Sequence, residues 1–401
     1  MRKYQQHPST SRQETLRLIM EYSQFQPRVE VVPVREALGR VTARDIQAEN
    51  TLPNSPSSTM DGIAVKSANL NNIADISQWQ EGIDYVFSNT GVGIPDEFDT
   101  VVLIENVEFD EAGRLRNLLN PQPGQNVRPV GTIMQTGEIL VPAHYLLRPA
   151  QLGLLIAGGI TEVAVLAKPR VAILPTGNEL VPAGCTPPRG KNVESNGTMI
   201  EAYVKMMGGE PRLFPITRDD PDELFKIINA ALDWADIVIL NGGTSKGSDD
   251  RAIEVQETIG KILVYEVDYG PGKHTTMTVA GSKLIVGTVG PTIGAVYAVE
   301  WYVSPLINKY LSQPTAEPQR LKVTLAEEIV LPAPIDVYAR MQVRRTGEAY
   351  EAIRVNPAGP LAKQMMANAY MLIPGEVQRY KAGEVVEVTL RCPLEYIEKC
   401  Y

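Results

Sequence analysis

The chain of 401 residues is 44% hydrophobic and 21% charged, with a formal net charge of −9, which fits a soluble globular protein and excludes a disordered one. That acidic balance also excludes a general nucleic-acid binder, because affinity for phosphate backbones comes from clustered Lys and Arg. Three cysteines, Cys185, Cys392 and Cys400, show neither paired zinc spacing nor enough thiols for a disulfide framework, so a reducing cytoplasm is the expected location.

At this length roughly three or four domain-sized pieces are expected. The opening MRKYQQHPSTSRQ has no apolar run behind its charges, so no secretory signal is expected. Leu16, Leu18, Ile19 and Met20 recur at helical spacing within 9–22, predicting a helix. From Arg28 to Asn50 the text gives a strand, a short helix opened after Pro33, and an extended piece. TLPNSPSSTMDG follows as loop chemistry at a domain boundary. Between Ile63 and Arg128 short β-like runs (YVFS, TVVLIENVEF) alternate with Gly, Pro and Asp, a small β-rich module. A helix over Leu147–Ala157 then resumes the earlier style, so the module reads as an insertion in a discontinuous first domain.

From Arg170 the elements alternate: strand VAIL, helix 197–208, strand RLFPI, helix 221–234, strand IVIL, helix 250–259, strand ILVYEV. Such alternation predicts parallel strands with right-handed crossovers, the doubly wound plan. Leu284–Val303 is as long as a membrane span, but Gly287, Gly290, Pro291 and Gly294 divide it into a strand, a turn and the start of an apolar helix reaching about Leu311. No membrane association is expected. Short strands return from Arg320 to Tyr401. The predicted class is a multidomain α/β protein: a discontinuous N-terminal domain (1–48 and 129–168), an inserted β-rich domain (49–128), a doubly wound α/β domain (169–314) and a C-terminal β-rich domain (315–401).

Ligands of open α/β sheets collect at the carboxyl ends of strands. There IVIL runs into NGGTSKGSDD: Gly242, Gly243 and Gly247 permit close backbone approach, and Thr244, Ser245 and Lys246 can donate to anionic oxygens. Asp249 and Asp250 either face that cradle or simply cap the next helix. VAIL runs into PTGNEL, with Thr176, Gly177 and Glu179; RLFPI runs into TRDDP, with Asp219 and Asp220. Each loop alone reads as a turn or cap. Three along one sheet edge favour a site where Glu179, Asp219 and Asp250 converge as ligands for Mg²⁺ bridging phosphate oxygens. GVGIPD and GPGKHTT fail the dinucleotide and Walker spacings, and His7, His144 and His274 stand apart, so no histidine metal centre is expected. STMDGIAV around Asp61 and NTGVGIPD around Thr90 read as turns or as exposed polar contacts.

Taken together, MDGIAV, TGVGIPDEFDTVV, RPVGTIMQTGEILVPA, RVAILPTGNEL, ESNG, TRDDP, NGGTSKGSDD and PGKHTT resemble, in order and at similar distances, the molybdopterin molybdenumtransferase family, which includes the gephyrin E domain. The resemblance covers essentially the whole chain. It implies a four-domain subunit in an elongated homodimer with a shared cleft, binding adenylylated molybdopterin and molybdate, with hydrolysis of the adenylate aided by a divalent cation. By motif position it implies functional roles for Asp61, Thr90, Glu179, Asp219 and Asp250. Thr176, Gly177, Asn196, the 242–247 loop and Lys273 become the expected ligand contacts. Molybdopterin adenylyltransferase and molybdoenzymes are the implied partners. The chain departs from the family at Ile133 (usually Asp), Gly270 (usually Lys), Thr288–Thr292 (TVGPT for LPGNP) and Lys246 (usually small and apolar). Those departures leave open a non-catalytic or altered-substrate molybdopterin-binding protein.

Overall fold

The computed structural model describes residues 8–72, 76–242, 251–331 and 335–399. The chain divides into two compact units, Val29–Leu166 and a larger one formed by Met1–Arg28 with Ala167–Tyr401.

The larger unit begins with helix α1 (Arg12–Tyr22), whose start is fixed by Ser11 accepting from Glu14 N at 3.2 Å. Arg17 bridges Glu14 and Glu21 on its outer face, and Ile19 turns inward into one core with Val171, Ile239 and Trp301. The sequence groups this helix with the first domain; in the structure its buried face packs with the α/β strands.

The central sheet comprises β1 (Arg170–Pro175), β2 (Glu210–Leu213), β3 (Ile237–Asn241), β4 (Lys261–Val264), β5 (Thr276–Ala280) and β6 (Lys283–Thr288), in spatial order β2-β1-β3-β6-β5-β4. β1 and β3 are continuous apolar runs because both faces are covered. Val171 and Ile173 enter one core with Ile200 and Val204 of helix α2 (Asn196–Met206), while Ala172 and Leu174 enter another with Leu224 and Ile228 of helix α3 (Pro221–Trp234). Each fully buried aliphatic side chain contributes about 1.5–3 kcal/mol.

The expected parallel alternation holds for β2, β1, β3 and β6; β5 alone is reversed, pairing antiparallel with β6 on one side and with β4 on the other, so that β4 runs in the same sense as the rest. The physical reason is the connection: Ala280 pairs with Lys283 across a two-residue turn, too short for a crossover. Register sets Pro175 beside Asn241 and Asn241 beside Thr288, so the ends of β1, β3 and β6 form one rim.

After β6 a single helical run spans Thr292–Ala298, Val299–Val303 in π form, and Ser304–Tyr310, confirming that the apolar 284–303 stretch is strand plus helix. Among the described residues no helix is long and apolar enough to cross a membrane. The C-terminal strands Asp336–Thr346, Ala349–Arg354, Arg320–Leu325, Val385–Leu390 and Ala369–Ile373 close on themselves around Val323, Met341 and Val388. Tyr269–Gly270 adds a short strand from the α/β portion to that sheet. The seam is aromatic: Tyr297 stacks on Trp301 with centroids 4.3 Å apart, and Tyr269, Tyr338 and Tyr370 meet the same indole.

The smaller unit pairs Val29–Pro33 with Glu162–Leu166 over a core of Val34, Val141, Leu147 and Leu155, against helix Pro149–Ala157. Its β-rich part holds a three-stranded sheet, Tyr85–Ser88, Gly62–Val65 and Thr100–Leu103, with Gly62–Val65 central. The MDGIAV stretch, read from sequence as a turn or an exposed polar contact, leads into the central strand, with Asp61 exposed at its mouth.

Candidate active site

Two of the three expected loops meet at the rim. Thr176, at the end of β1, is buried and bridges to Thr217, while Gly177 N donates to Thr217 O at 3.1 Å. One residue later Asn178 N donates to Asp219 Oδ2 at 3.1 Å, tying the TGNE loop to the TRDD loop. The neighbouring carboxylates divide their work. Asp220 caps α3, accepting from Asp222 N and Glu223 N at 3.0 Å each, while Asp219 faces the loop at the rim. The capping reading of RDDP holds for Asp220, while Asp219 ties the two loops together.

Glycine is required at two positions. Gly177 has φ +151°, and a Cβ there would lie 2.7 Å from both Glu179 carboxylate oxygens, so that carboxylate folds back over space a side chain would fill. Gly242 has φ +108°, and a Cβ would sit 2.2 Å from Thr176 O. Beneath the rim lies a buried amide network. Asn241 Nδ2 donates to Thr288 Oγ1 (2.8 Å) and Val289 O (2.9 Å), and Asn196 Nδ2 donates to Asn241 Oδ1 (3.0 Å) and Gly290 O (2.8 Å). Asn196, expected as a ligand contact, spends its amide donors on this scaffold.

Sequence reasoning missed Asn241 and Lys191. Lys191 Nζ donates to Asn178 O at 2.7 Å and Asn192 N to Glu179 O at 2.9 Å, clamping the acidic loop from its other side. An asparagine ending an otherwise apolar, fully buried strand was the available signal for Asn241. Nothing local marks Lys191, which reaches the loop across the exposed excursion 182–190.

Of the other expected contacts, Lys273 Nζ lies 3.8 Å from the buried Glu266, which His274 also approaches at 3.8 Å. Gly243, Thr244, Ser245, Lys246, Gly247 and Asp250 lie outside the described residues. Among the described residues no three His, Cys, Asp or Glu side chains gather as a metal group; Glu179 and Asp219 share the rim as a pair of loops. In the smaller unit Asp61 Oδ1 accepts from Thr90 N (2.7 Å) and Thr90 Oγ1 (3.1 Å), joining two residues 29 apart in sequence. Ile133, where the family carries Asp, is 55% exposed.

Residues 172–309, the α/β sheet with its rim, match the family described as a probable molybdopterin binding domain, which defines the class of this part of the molecule. Residues 10–159 match the MoeA N-terminal region, domains I and II. The two matches follow one another along most of the chain, and the chain belongs to the molybdopterin molybdenumtransferase (MoeA) family. A molybdopterin molybdenumtransferase of Staphylococcus epidermidis is 28% identical over 88% of this chain and 89% of its own length; one of Staphylococcus aureus is 25% identical over 94% of each. A solved molybdopterin biosynthesis MoeA protein from Pyrococcus horikoshii has a TM-score of 0.78 at 26% identity, covering 96% of this chain and 99% of that one.

Proposed function

We infer that this chain is a molybdopterin molybdenumtransferase: it takes adenylylated molybdopterin and molybdate, hydrolyses the adenylate and leaves molybdenum on the dithiolene. The observation that carries this reading is the joining of the Glu179 and Asp219 loops at the carboxyl rim of the α/β sheet. Glycine-lined backbone and hydroxyls suit phosphate oxygens there.

Cleavage of the phosphoanhydride forms one bond from a water oxygen to phosphorus, breaks the bond to the bridging oxygen, and releases AMP. Catalysis of such a step is mostly placement and neutralisation of charge. Thr176 and Gly177 set the backbone against which the phosphates lie, Glu179 and Asp219 orient the attacking water, and Lys191 holds their loop. The donor set of two carboxylates fits Mg²⁺, which takes one or two carboxylates and keeps several waters; when bound it supplies charge neutralisation. Asp250 is proposed as the third carboxylate. Asp61 and Thr90 contribute a polar contact from the inserted domain, and Lys273 one from the α/β domain. The reading includes the four-domain division with boundaries near 49, 129, 169 and 315, a homodimer with a shared cleft, a cytoplasmic location, and exchange with molybdopterin adenylyltransferase and molybdoenzymes.

Purified protein with Mg²⁺ and molybdate should release AMP from adenylylated molybdopterin, and Glu179→Gln should slow release by about a hundredfold while binding persists. Tight binding without AMP release would replace this reading by a second: a molybdopterin-binding cofactor-handling protein. The exposed apolar Ile133 favours that alternative, because an Ile can neither bind a cation nor hydrogen-bond an oxyanion. Under it, Ile133→Asp should restore release.

A further inference from the structure

We propose that the groove between helix α2, the helical run 292–310 and the C-terminal strands is a binding site for a soft monovalent metal ion, Cu(I), held by methionine thioethers.

The sequence carries two Met-Met pairs, Met206–Met207 and Met365–Met366, and the fold brings both to one groove. Each pair closes a helix: Met207 is the C-terminal cap of α2, and Met366 caps the short helix Leu361–Met365. Met199 joins them because positions 199, 202, 203 and 206 fall on one face of α2, the face that lines the groove. Five of the chain's 12 methionines thus surround a single cavity of about 730 Å³, with Cys392 beside them.

Methionine is an ordinary filler of irregular gaps, and Met199, Met207 and Met365 do pack in part on the large core. Met206 and Met366 fill no such gap, being 75% and 46% exposed. Left in water they gain little from burial, whereas a thioether sulfur remains a donor to soft ions. The charged groups of the groove are already engaged with each other. Arg391 Nη2 donates to Tyr203 Oη at 2.8 Å and to Glu300 Oε1 at 2.5 Å, and Tyr203 Oη donates to the same Glu300 oxygen at 3.0 Å. Their charges cancel, so no net charge repels a cation, and the C-terminal end of α2 adds a partial negative charge. Asn368, also in the lining, spends its amide on Val343 and Ile397. What the groove has left to offer an ion is sulfur, and soft sulfur ligands select Cu(I) over hard cations such as Mg²⁺.

Anaerobic titration of the intact chain against the Cu(I)–bicinchoninate complex tests this, in a Cys185→Ser, Cys400→Ser background that removes the two other thiols. The chain should withdraw one Cu(I) from the chelator. Met206→Leu combined with Met366→Leu should weaken binding at least about tenfold, since the loss of even an outer-shell group costs that much. Both positions are exposed, so the double variant should keep the parental Tm, and its weaker binding then reads the loss of ligands rather than of fold. X-ray absorption at the copper edge should show more sulfur neighbours than the one remaining thiol supplies. Failure to withdraw copper, equal affinity in parent and double variant, or a copper shell with no sulfur beyond a single thiol overturns the site.

Discussion

Adjacent aspartates at 219 and 220 show how one residue of displacement separates stability from chemistry. Asp220→Ala removes a helix cap that serves two backbone donors, so it should lower stability by about 1 kcal/mol in urea unfolding. AMP release should be nearly unchanged. Asp219→Asn keeps an acceptor for Asn178 N but removes a charge, so release should fall by about two orders of magnitude with the urea midpoint close to parental. Lys191→Met should raise the KM for the adenylate more than it lowers kcat, and Lys191→Arg should rescue part of the loss, because its single contact positions the loop through a carbonyl. Gly242→Ala forces a Cβ against Thr176 O at positive φ and should cost about 1–3 kcal/mol, read as a lowered Tm.

At the scale of elements, the rim stands on amides that satisfy the ends of strands and loops. Removing Asn241 takes an acceptor from Asn196 Nδ2 and a donor from Thr288 Oγ1 and Val289 O together, so Asn241→Ala should destabilise by about 1–3 kcal/mol. The long helix and the closed C-terminal sheet are joined by tyrosines with a distinct pH signature. Burial raises the Tyr269, Tyr297 and Tyr302 phenols above their ordinary value, with Tyr302 lending Tyr269 a further rise. An unfolded chain releases these protons near pH about 10, whereas the folded chain retains them. Their contribution is therefore complete below about 10 and is lost as pH rises further. Ultraviolet titration should show these phenolates appearing together with unfolding. Early ionisation with the fold intact would contradict the buried seam. A second, half-buried set, Arg391 with Glu300 at 2.5 Å and Tyr203 at 2.8 Å, reinforces the same seam, and Arg340 lies over the Tyr297 ring at 4.9 Å.

For the whole molecule, the division into Val29–Leu166 and the remainder gives each unit its own cores. The fragment 29–166 should therefore fold alone, seen as a cooperative loss of far-ultraviolet circular dichroism on heating. A featureless fragment would mean that its cores do not suffice. Much of this organisation was legible in the sequence: apolar runs bounded by Gly, Pro and Asp placed β1, β3 and α3 closely, because burial on both sheet faces and a Pro after a capping Asp leave local signatures. The rim loops were legible for the same reason, since polar residues directly after an apolar strand stand at its carboxyl end.

What stayed hidden depends on partners distant in the chain. The reversal of β5 followed from the short turn that joins it to β6, and helix α1 packs in the larger unit because Ile19 found its core more than 150 residues away. Local patterning determined which segments are helix, strand and loop, and which acids stand at strand ends, because periodicity and capping act within a few residues. Only the tertiary structure decided that the Asn196 amide would brace the rim and that Lys191 would clamp the acidic loop. Those outcomes turn on pairing and register between remote residues, which no local propensity encodes.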